Sequence, residues 1–263
     1  MSTTINTNVS SMNAQRWLAG TQTSLQTSMA RLSSGLRVNS AKDDAAGLAI
    51  ASKLESTARG ASVGIRNAND AISMASTADG ALSNITTNLQ RMRELAVQKA
   101  SGTVSNDVDA VAAIDAELTL LSAENKRVVD NSAFNSVKLI SAANTTSVEL
   151  GDGSAAVAFA TTAYTATATD ATKATVANID ADLKGYNTMR AEYGATQNNF
   201  QAIISNLQVN VENLSAARGR IMDADYAMET ANLSRAQVLQ QAGTAMLAQA
   251  NQAPQSVLSL LRQ

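Results

Sequence analysis

RLSSGLRVNSAKDDAAGLAI, residues Arg31–Ile50, interrupts a chain that otherwise reads almost entirely as helix. Two glycines, a Val-Asn-Ser step and a Lys-Asp-Asp cluster fall within these twenty residues. Glycine lets the backbone turn where a β-carbon would obstruct it. Aspartate favours the first turn of a helix, where free N–H groups and the helix dipole attract negative charge. Gly35, Lys42, Asp43, Asp44 and Gly47 therefore read as a joint between two helical bodies. A catalytic aspartate pair does not follow. Adjacent residues on a helix point in different directions, and no partner base is visible.

Upstream, apolar residues recur with helical spacing from Ile5 to about Leu32, and Leu18, Leu25 and Leu32 stand seven apart. That narrow stripe is a coiled-coil-like seam. Downstream, Leu54, Ala58, Ala61, Ile65, Ala68, Ile72 and Ala75 step alternately by four and three. After one three-residue slip the pattern resumes at Leu82, Ile85, Leu89, Met92 and Ala96. A continuous helix from about Ala45 to Lys99 is predicted, roughly 80 Å long at 1.5 Å per residue. No compact globule accommodates it, so an elongated molecule is expected.

Ser101–Asp107 (SGTVSND) reads as a turn ending in an N-cap. A second helix follows, with Val111, Ile114, Leu118, Leu121 and Val128 on one face, and VDNSAFNS breaks it. Val137–Ile140, Val148–Leu150 and Val157–Phe159, the last two flanking a GDG turn, read as short strands. Thr161–Thr175 holds seven threonines in fifteen residues and reads as an exposed loop. A third long helix is predicted over roughly Ile179–Ile221, with Met189, Tyr193, Phe200, Ile204, Leu207, Val211 and Leu214. After GRIMDADYAME a last helix carries Ala236, Leu239, Gly243, Met246, Ala250, Val257 and Leu260 at alternating spacings of three and four.

The chain has 263 residues, 45% of them apolar but only 3% aromatic. A core of Ala, Leu, Ile, Val and Met suits helix packed on helix. With no cysteine and no histidine, the usual nucleophilic thiol, general base and zinc ligands are missing. No enzyme, cofactor or metal site is expected. All 22 acidic residues lie within 43–229, and the two ends carry only scattered Lys and Arg among Ser, Thr, Asn and Gln. A nucleic-acid-binding arm would be far more basic. No run of about 18 apolar residues exists, so no membrane insertion is expected. The N-terminus lacks a basic region followed by an apolar stretch, so no Sec-type leader is read there.

The end helices share a composition, and neither buries a stripe by itself, since isolated helices are marginal in water. They are expected to pair antiparallel. The predicted fold is mostly α: an elongated hairpin of long helices, with a coiled-coil-like terminal pair, a helical bundle rod and a small β-hairpin insertion. Its expected domains are a discontinuous terminal core of 1–44 plus 222–263, a rod of 45–140 plus 178–221, and a short outward-facing insertion, 141–177.

RLSSGLRVNSAKDDAAGLAIASKL, NLQRMRELAVQ and the tail DADYAMETANLSRAQVLQQAGTAMLAQANQAPQSVLSLLRQ together resemble bacterial flagellin. The resemblance spans residues 1 to about 140 and about 178 to 263, without the large outer domains of bigger members. It implies a structural subunit that polymerises into the flagellar filament, exported unfolded by the flagellar type III route and secreted to the extracellular flagellum. The alternative within the same superfamily is a hook–filament junction protein; a chemoreceptor-like signalling hairpin would need a membrane anchor and matched arms. The implied partners are further copies of itself, an export chaperone docking on the C-terminal helix, filament cap and junction proteins, and host flagellin receptors of vertebrates and plants. Leu18, Leu25, Leu32, Leu239, Met246, Val257 and Leu260 are expected to serve terminal-helix or inter-subunit packing. By resemblance, Arg91, Leu95 and Glu117 match positions presented to the vertebrate Toll-like receptor. Leu95, offset from the Ile85–Leu89–Met92–Ala96 stripe, is expected to be a partly exposed anchor.

Overall fold

A computed structural model describes residues 7–261 apart from 152, 154, 162, 164 and 165, with backbone alone for 253–261. Five helices dominate: α1 (Val9–Ser34), α2 (Ala45–Ala100), α3 (Val108–Asn131), α4 (Val176–Met222) and α5 (Tyr226–Leu261). Between α3 and α4 lie β1 (Ala133–Phe134), β2 (Val137–Lys138), β3 (Thr145–Val148) and β4 (Val157–Ala160). The chain divides into two compact units, 1–55 with 214–263, and 56–213.

In the first unit α1 and α5 run antiparallel. Asn8 Nδ2 donates to the Ala250 carbonyl at 2.8 Å, and Ser11 Oγ to Asn251 Oδ1 at 2.8 Å. Arg31 lies 3.7 Å from the buried Glu229 carboxylate at the other end. The expected terminal pairing is therefore present. Leu18, Leu25 and Leu32 are half-buried in it. Its α5 seam differs from the expected one. Leu233, Ala236, Gln240, Gly243, Leu247 and Ala250 face α1, whereas Leu239 and Met246 are exposed. Alternating steps of three and four leave the phase of a narrow stripe open by about one residue, and the small Ala236 and Gly243 allow closer approach than Leu or Met. A β-carbon on Gly243 would already stand 3.3 Å from Leu18 Cδ1. Val257 and Leu260 lie where side chains are not described.

The second unit holds the main core. Ala68, Ala71, Ala75, Leu82, Ile85, Leu89 and Met92 of α2 pack with Ile114 and Leu118 of α3 and with Tyr186, Met189, Tyr193, Phe200 and Ile204 of α4. Asp107 caps α3 by accepting from the Asp109 and Ala110 N–H groups. Ion pairs Arg93–Asp180 (2.7 Å) and Arg190–Asp79 (2.8 Å) join α2 to α4.

The insertion contains two hairpins where the sequence points to one. β1 and β2 pair antiparallel around Asn135 and Ser136, whose φ angles of 45° and 68° make a two-residue turn of the primed kind. Strands of two residues are too short for an alternation signal. β3 and β4 pair with Val148 opposite Val157 and Thr146 opposite Phe159. Phe159 is fully buried beside Tyr193, ring centroids 6.1 Å apart. The threonine-rich run is not a plain solvent loop. Buried Asp182 on α4 accepts from the Thr167 N–H (2.8 Å), the Thr167 hydroxyl and the Ala168 N–H (2.9 Å). Thr161 is also buried; its hydroxyl accepts from the Asn144 N–H at 2.7 Å and donates to the Ala142 carbonyl at 2.8 Å.

Candidate assembly surface

The joint occupies residues 35–44. Gly35 ends α1 with φ 71°, and its N–H bonds the Arg31 carbonyl at 2.8 Å. The chain then pairs with the α4–α5 link. Leu36 bridges Asp223 in antiparallel fashion, Arg37 N–H donates to the Met222 carbonyl at 2.6 Å, and Ala224 N–H donates to the Gly35 carbonyl at 2.9 Å. The Arg37 guanidinium reaches the Ile221 carbonyl at 2.7 Å. Val38 is buried with Ala51 and Met222. Both helix-to-helix links of the first unit thus meet in one knot of backbone hydrogen bonds.

The two aspartates have separate tasks. Asp43 Oδ2 accepts from the Ser40 hydroxyl (3.0 Å), the Ser40 N–H (3.0 Å) and the Asn39 N–H (3.2 Å). Those donors, the Ser40 hydroxyl foremost, hold its pKa below the ordinary aspartate value. Asp44 accepts from the Gly47 N–H at 2.8 Å and so starts α2. Gly47 is not a turning residue, contrary to expectation. It is helical and buried, and a β-carbon there would fall 2.2 Å from the Asp44 carboxylate. A side chain at 47 would displace the Asp44 carboxylate from its capping position. Lys42 is exposed.

Beyond the joint, the α1–α5 pair leaves much apolar surface uncovered. Val9, Met12, Trp17 and Met29 of α1 and Tyr226, Met228, Val238, Leu239 and Met246 of α5 are all more than half exposed. Met228, Leu239 and Met246 are eleven and seven residues apart, close to whole turns, so they share one face. Trp17, 75% exposed, and Leu239 stand over a groove of about 620 Å³ that runs past Gly20, Thr27 and Ser28 to Arg31 and Glu229. Solvent-facing side chains of this size in such density are unusual on a monomer and mark an association surface. Trp17 is the only tryptophan. It sits one residue off the Leu18–Leu25–Leu32 seam, a signal that the periodicity alone passes over.

The second unit separates the three residues grouped by resemblance. Arg91, half exposed, pairs with Glu117 of α3 at 2.9 Å and with Glu94 at 3.1 Å. The two carboxylates, Glu117 first, raise its already high pKa further. Leu95 is 2% exposed and belongs to the core, not to the surface. The ion pairs Arg91–Glu117 and Lys99–Asp115 tie α2 to α3 one turn to either side of Leu95, so α3 runs along that flank and the buried stripe of α2 is wider than two positions per heptad.

Long helices whose paired ends leave an apolar face uncovered are the architecture of an assembly subunit. Among the described residues, no helix is long and apolar enough to cross a membrane. Residues 5–145 match the bacterial flagellin N-terminal helical region and 176–261 the C-terminal helical region. The chain is 42% identical to a flagellin of Halalkalibacterium halodurans over 98% of its own length and 99% of that protein. It is 38% identical to the flagellar filament 33 kDa core protein of Treponema phagedenis over 98% and 99%, and 34% identical to flagellin D of Vibrio cholerae over 99% and 100%. The chain belongs to the flagellin family, and it is a structural subunit of the flagellar filament, not an enzyme. The alignment with flagellin D runs over 378 positions against 263 residues here, so this is a short form.

Proposed function

We propose that the chain polymerises through the exposed faces of α1 and α5, with Trp17, Leu239 and Met246 as principal inter-subunit contacts. The observation that carries this is the uncovered apolar surface of the terminal pair, concentrated where the half-buried seam of Leu18, Leu25 and Leu32 already joins the two helices. Burying it between copies gains about 25 cal/mol per Å² of apolar surface. Head-to-tail contact, in which a patch on one copy meets a different patch on the next, builds an open helical filament when the rotation between copies does not close. Salt-induced polymerisation followed by negative-stain microscopy tests it. The parent chain forms filaments; Trp17→Ser combined with Leu239→Ser and Met246→Ser remains monomeric with unchanged helical circular dichroism. Filament growth by the triple variant at the parent rate refutes the assignment.

The same reading extends to partners. The subunit travels unfolded through the flagellar type III route and works outside the cell. Before export the C-terminal helix docks on a chaperone in a helix-in-groove mode, with Leu239, Met246, Val257 and Leu260 as anchors. Support comes from the exposure of Leu239 and Met246 on one face of α5. Filament cap and hook–filament junction proteins engage the ends of the polymer. Host receptors read two regions: residues 30–51 in plants, and the Arg91–Glu117 surface in vertebrates, where Leu95 supports the surface from beneath instead of contacting the receptor.

A further inference from the structure

The nine methionines include eight among the described residues, all but Met1, and these eight fall into two sets. Met74, Met92, Met189 and Met222 are at most 7% exposed. Met12, Met29, Met228 and Met246 are between 55% and 65% exposed, and all four lie on α1 or α5. The antiparallel register that sets Asn8 against Ala250 and Arg31 against Glu229 brings Met12 within about a turn of the level of Met246, and Met29 within about a turn of that of Met228. Each end of the exposed α1–α5 surface therefore carries two accessible thioethers.

Thioether sulfur is the softest nucleophile this chain has, since it contains no cysteine. A peroxide transfers one oxygen atom to it. The sulfur lone pair attacks the O–O bond, an S–O bond forms, the thioether is oxidised by two electrons, and the other peroxide oxygen leaves as water. The product sulfoxide is polar and chiral where the thioether was apolar and flexible. On a buried contact it must be desolvated without an assured hydrogen-bond donor, which opposes association.

We propose that peroxide oxidation of Met12, Met29, Met228 and Met246 is a chemical gate on self-association. It makes the exposed faces of α1 and α5 polar and leaves the core of the unit 56–213 intact, because Met74, Met92 and Met189 are sheltered there. The inference rests on the proposal that these faces join the copies. Methionine sulfoxide reductases, which act on exposed sulfoxides, reverse it.

The test uses the full chain. Monomer is treated with dilute hydrogen peroxide, sulfoxides are mapped by peptide mass spectrometry, and salt-induced polymer is quantified by sedimentation. Sulfoxide is expected at the four exposed positions and not at Met74, Met92, Met189 or Met222. Sedimentable polymer falls at least tenfold, circular dichroism stays unchanged, and treatment with the two reductases restores assembly. A variant with Met12→Leu, Met29→Leu, Met228→Leu and Met246→Leu keeps the apolar volume and polymerises equally with or without peroxide. Oxidised parent that assembles like untreated parent overturns the gate, as does equal loss of assembly by the leucine variant in peroxide. If the leucine variant does not assemble even untreated, the reductase arm decides: recovery upholds the gate and its absence overturns it. Failure of untreated parent to polymerise refutes the underlying self-association reading instead, and the gate with it.

Discussion

Gly64→Ala should destabilise the second unit, although the same change a few turns along the same helix should stabilise it. Gly60 and Gly64 form a notch on α2 into which the backbone of Leu150 and Gly151 is laid. A β-carbon on Gly64 would stand 1.9 Å from the Leu150 carbonyl oxygen and 2.5 Å from its carbon, and one on Gly60 would stand 1.9 Å from the Gly151 oxygen. These are backbone atoms, so the segment after β3 has to lift by more than an ångström. Lifting it exposes Leu150, which is 6% exposed and packs with Ala61 and Leu207, at a cost of about 1.5–3 kcal/mol. It also breaks the 2.8 Å hydrogen bond from Asn67 Nδ2 to the Glu149 carbonyl, worth about 1 kcal/mol. Against this the helix gains about 1 kcal/mol of propensity from Gly to Ala. The net expectation is a loss of roughly 1.5–3 kcal/mol, combining those burial, hydrogen-bond and propensity terms. Gly80→Ala is the control. It is exposed on α2 with nothing within 4 Å of the added carbon, so only the propensity gain of about 1 kcal/mol remains. Urea unfolding of parent and both variants, followed by circular dichroism, measures the difference. Hydrogen exchange of peptides covering 144–161 reports whether the segment has lifted. A Gly64→Ala protein as stable as Gly80→Ala, with parent-like exchange, would refute the notch.

Leu95→Ala should cost about 2–5 kcal/mol as a core truncation, whereas Arg91→Ala, which removes only exposed ion pairs, should leave the melting midpoint close to that of the parent; thermal melts of the two variants with equal losses would contradict these placements. Asp182→Asn keeps the volume but turns an amide donor toward the Thr167 and Ala168 N–H groups, so amide exchange across 166–170 should accelerate and stability fall by about 2 kcal/mol; unchanged exchange would show that the carboxylate does not hold the loop. Gly243→Leu should part α1 from α5 and abolish polymerisation, measured by sedimentation, while Gly243→Ala, which meets only the mobile end of Leu18, should retain it. The hydrogen bonds from Ser40 and Asn39 lower the Asp43 pKa below the ordinary aspartate value, so its contribution to the 39–43 turn is complete above the unfolded value and is lost as the pH falls through the lowered one. A carboxyl NMR titration should place its midpoint below that of an aspartate in an unstructured peptide, with Ser40→Ala moving it up; a midpoint at or above the unstructured one counts against the assignment.

Much of the architecture was legible without coordinates because helical periodicity is a local property repeated many times. The stretch from Ala45 to Lys99 predicted α2 within a residue at its end, and the matched, acid-free end segments predicted that α1 and α5 pair. The GDG turn with its flanking apolar residues predicted the hairpin of β3 and β4. What stayed hidden depends on which neighbour covers which face. Leu95 reads as off the stripe in a one-dimensional pattern, and neighbours distant in the chain, α3 among them, make it core. Leu239 and Met246 fit the spacing of a seam as well as Leu233 and Leu247 do, and the phase is settled by where α1 can approach Ala236 and Gly243. Gly47, Gly60 and Gly64 look alike in sequence. One makes room for a capping carboxylate and two for a backbone crossing from more than eighty residues away. Spacing along one helix determines what that helix can bury. What it does bury is decided by partners distant in the chain, whose positions follow from the packing of the whole.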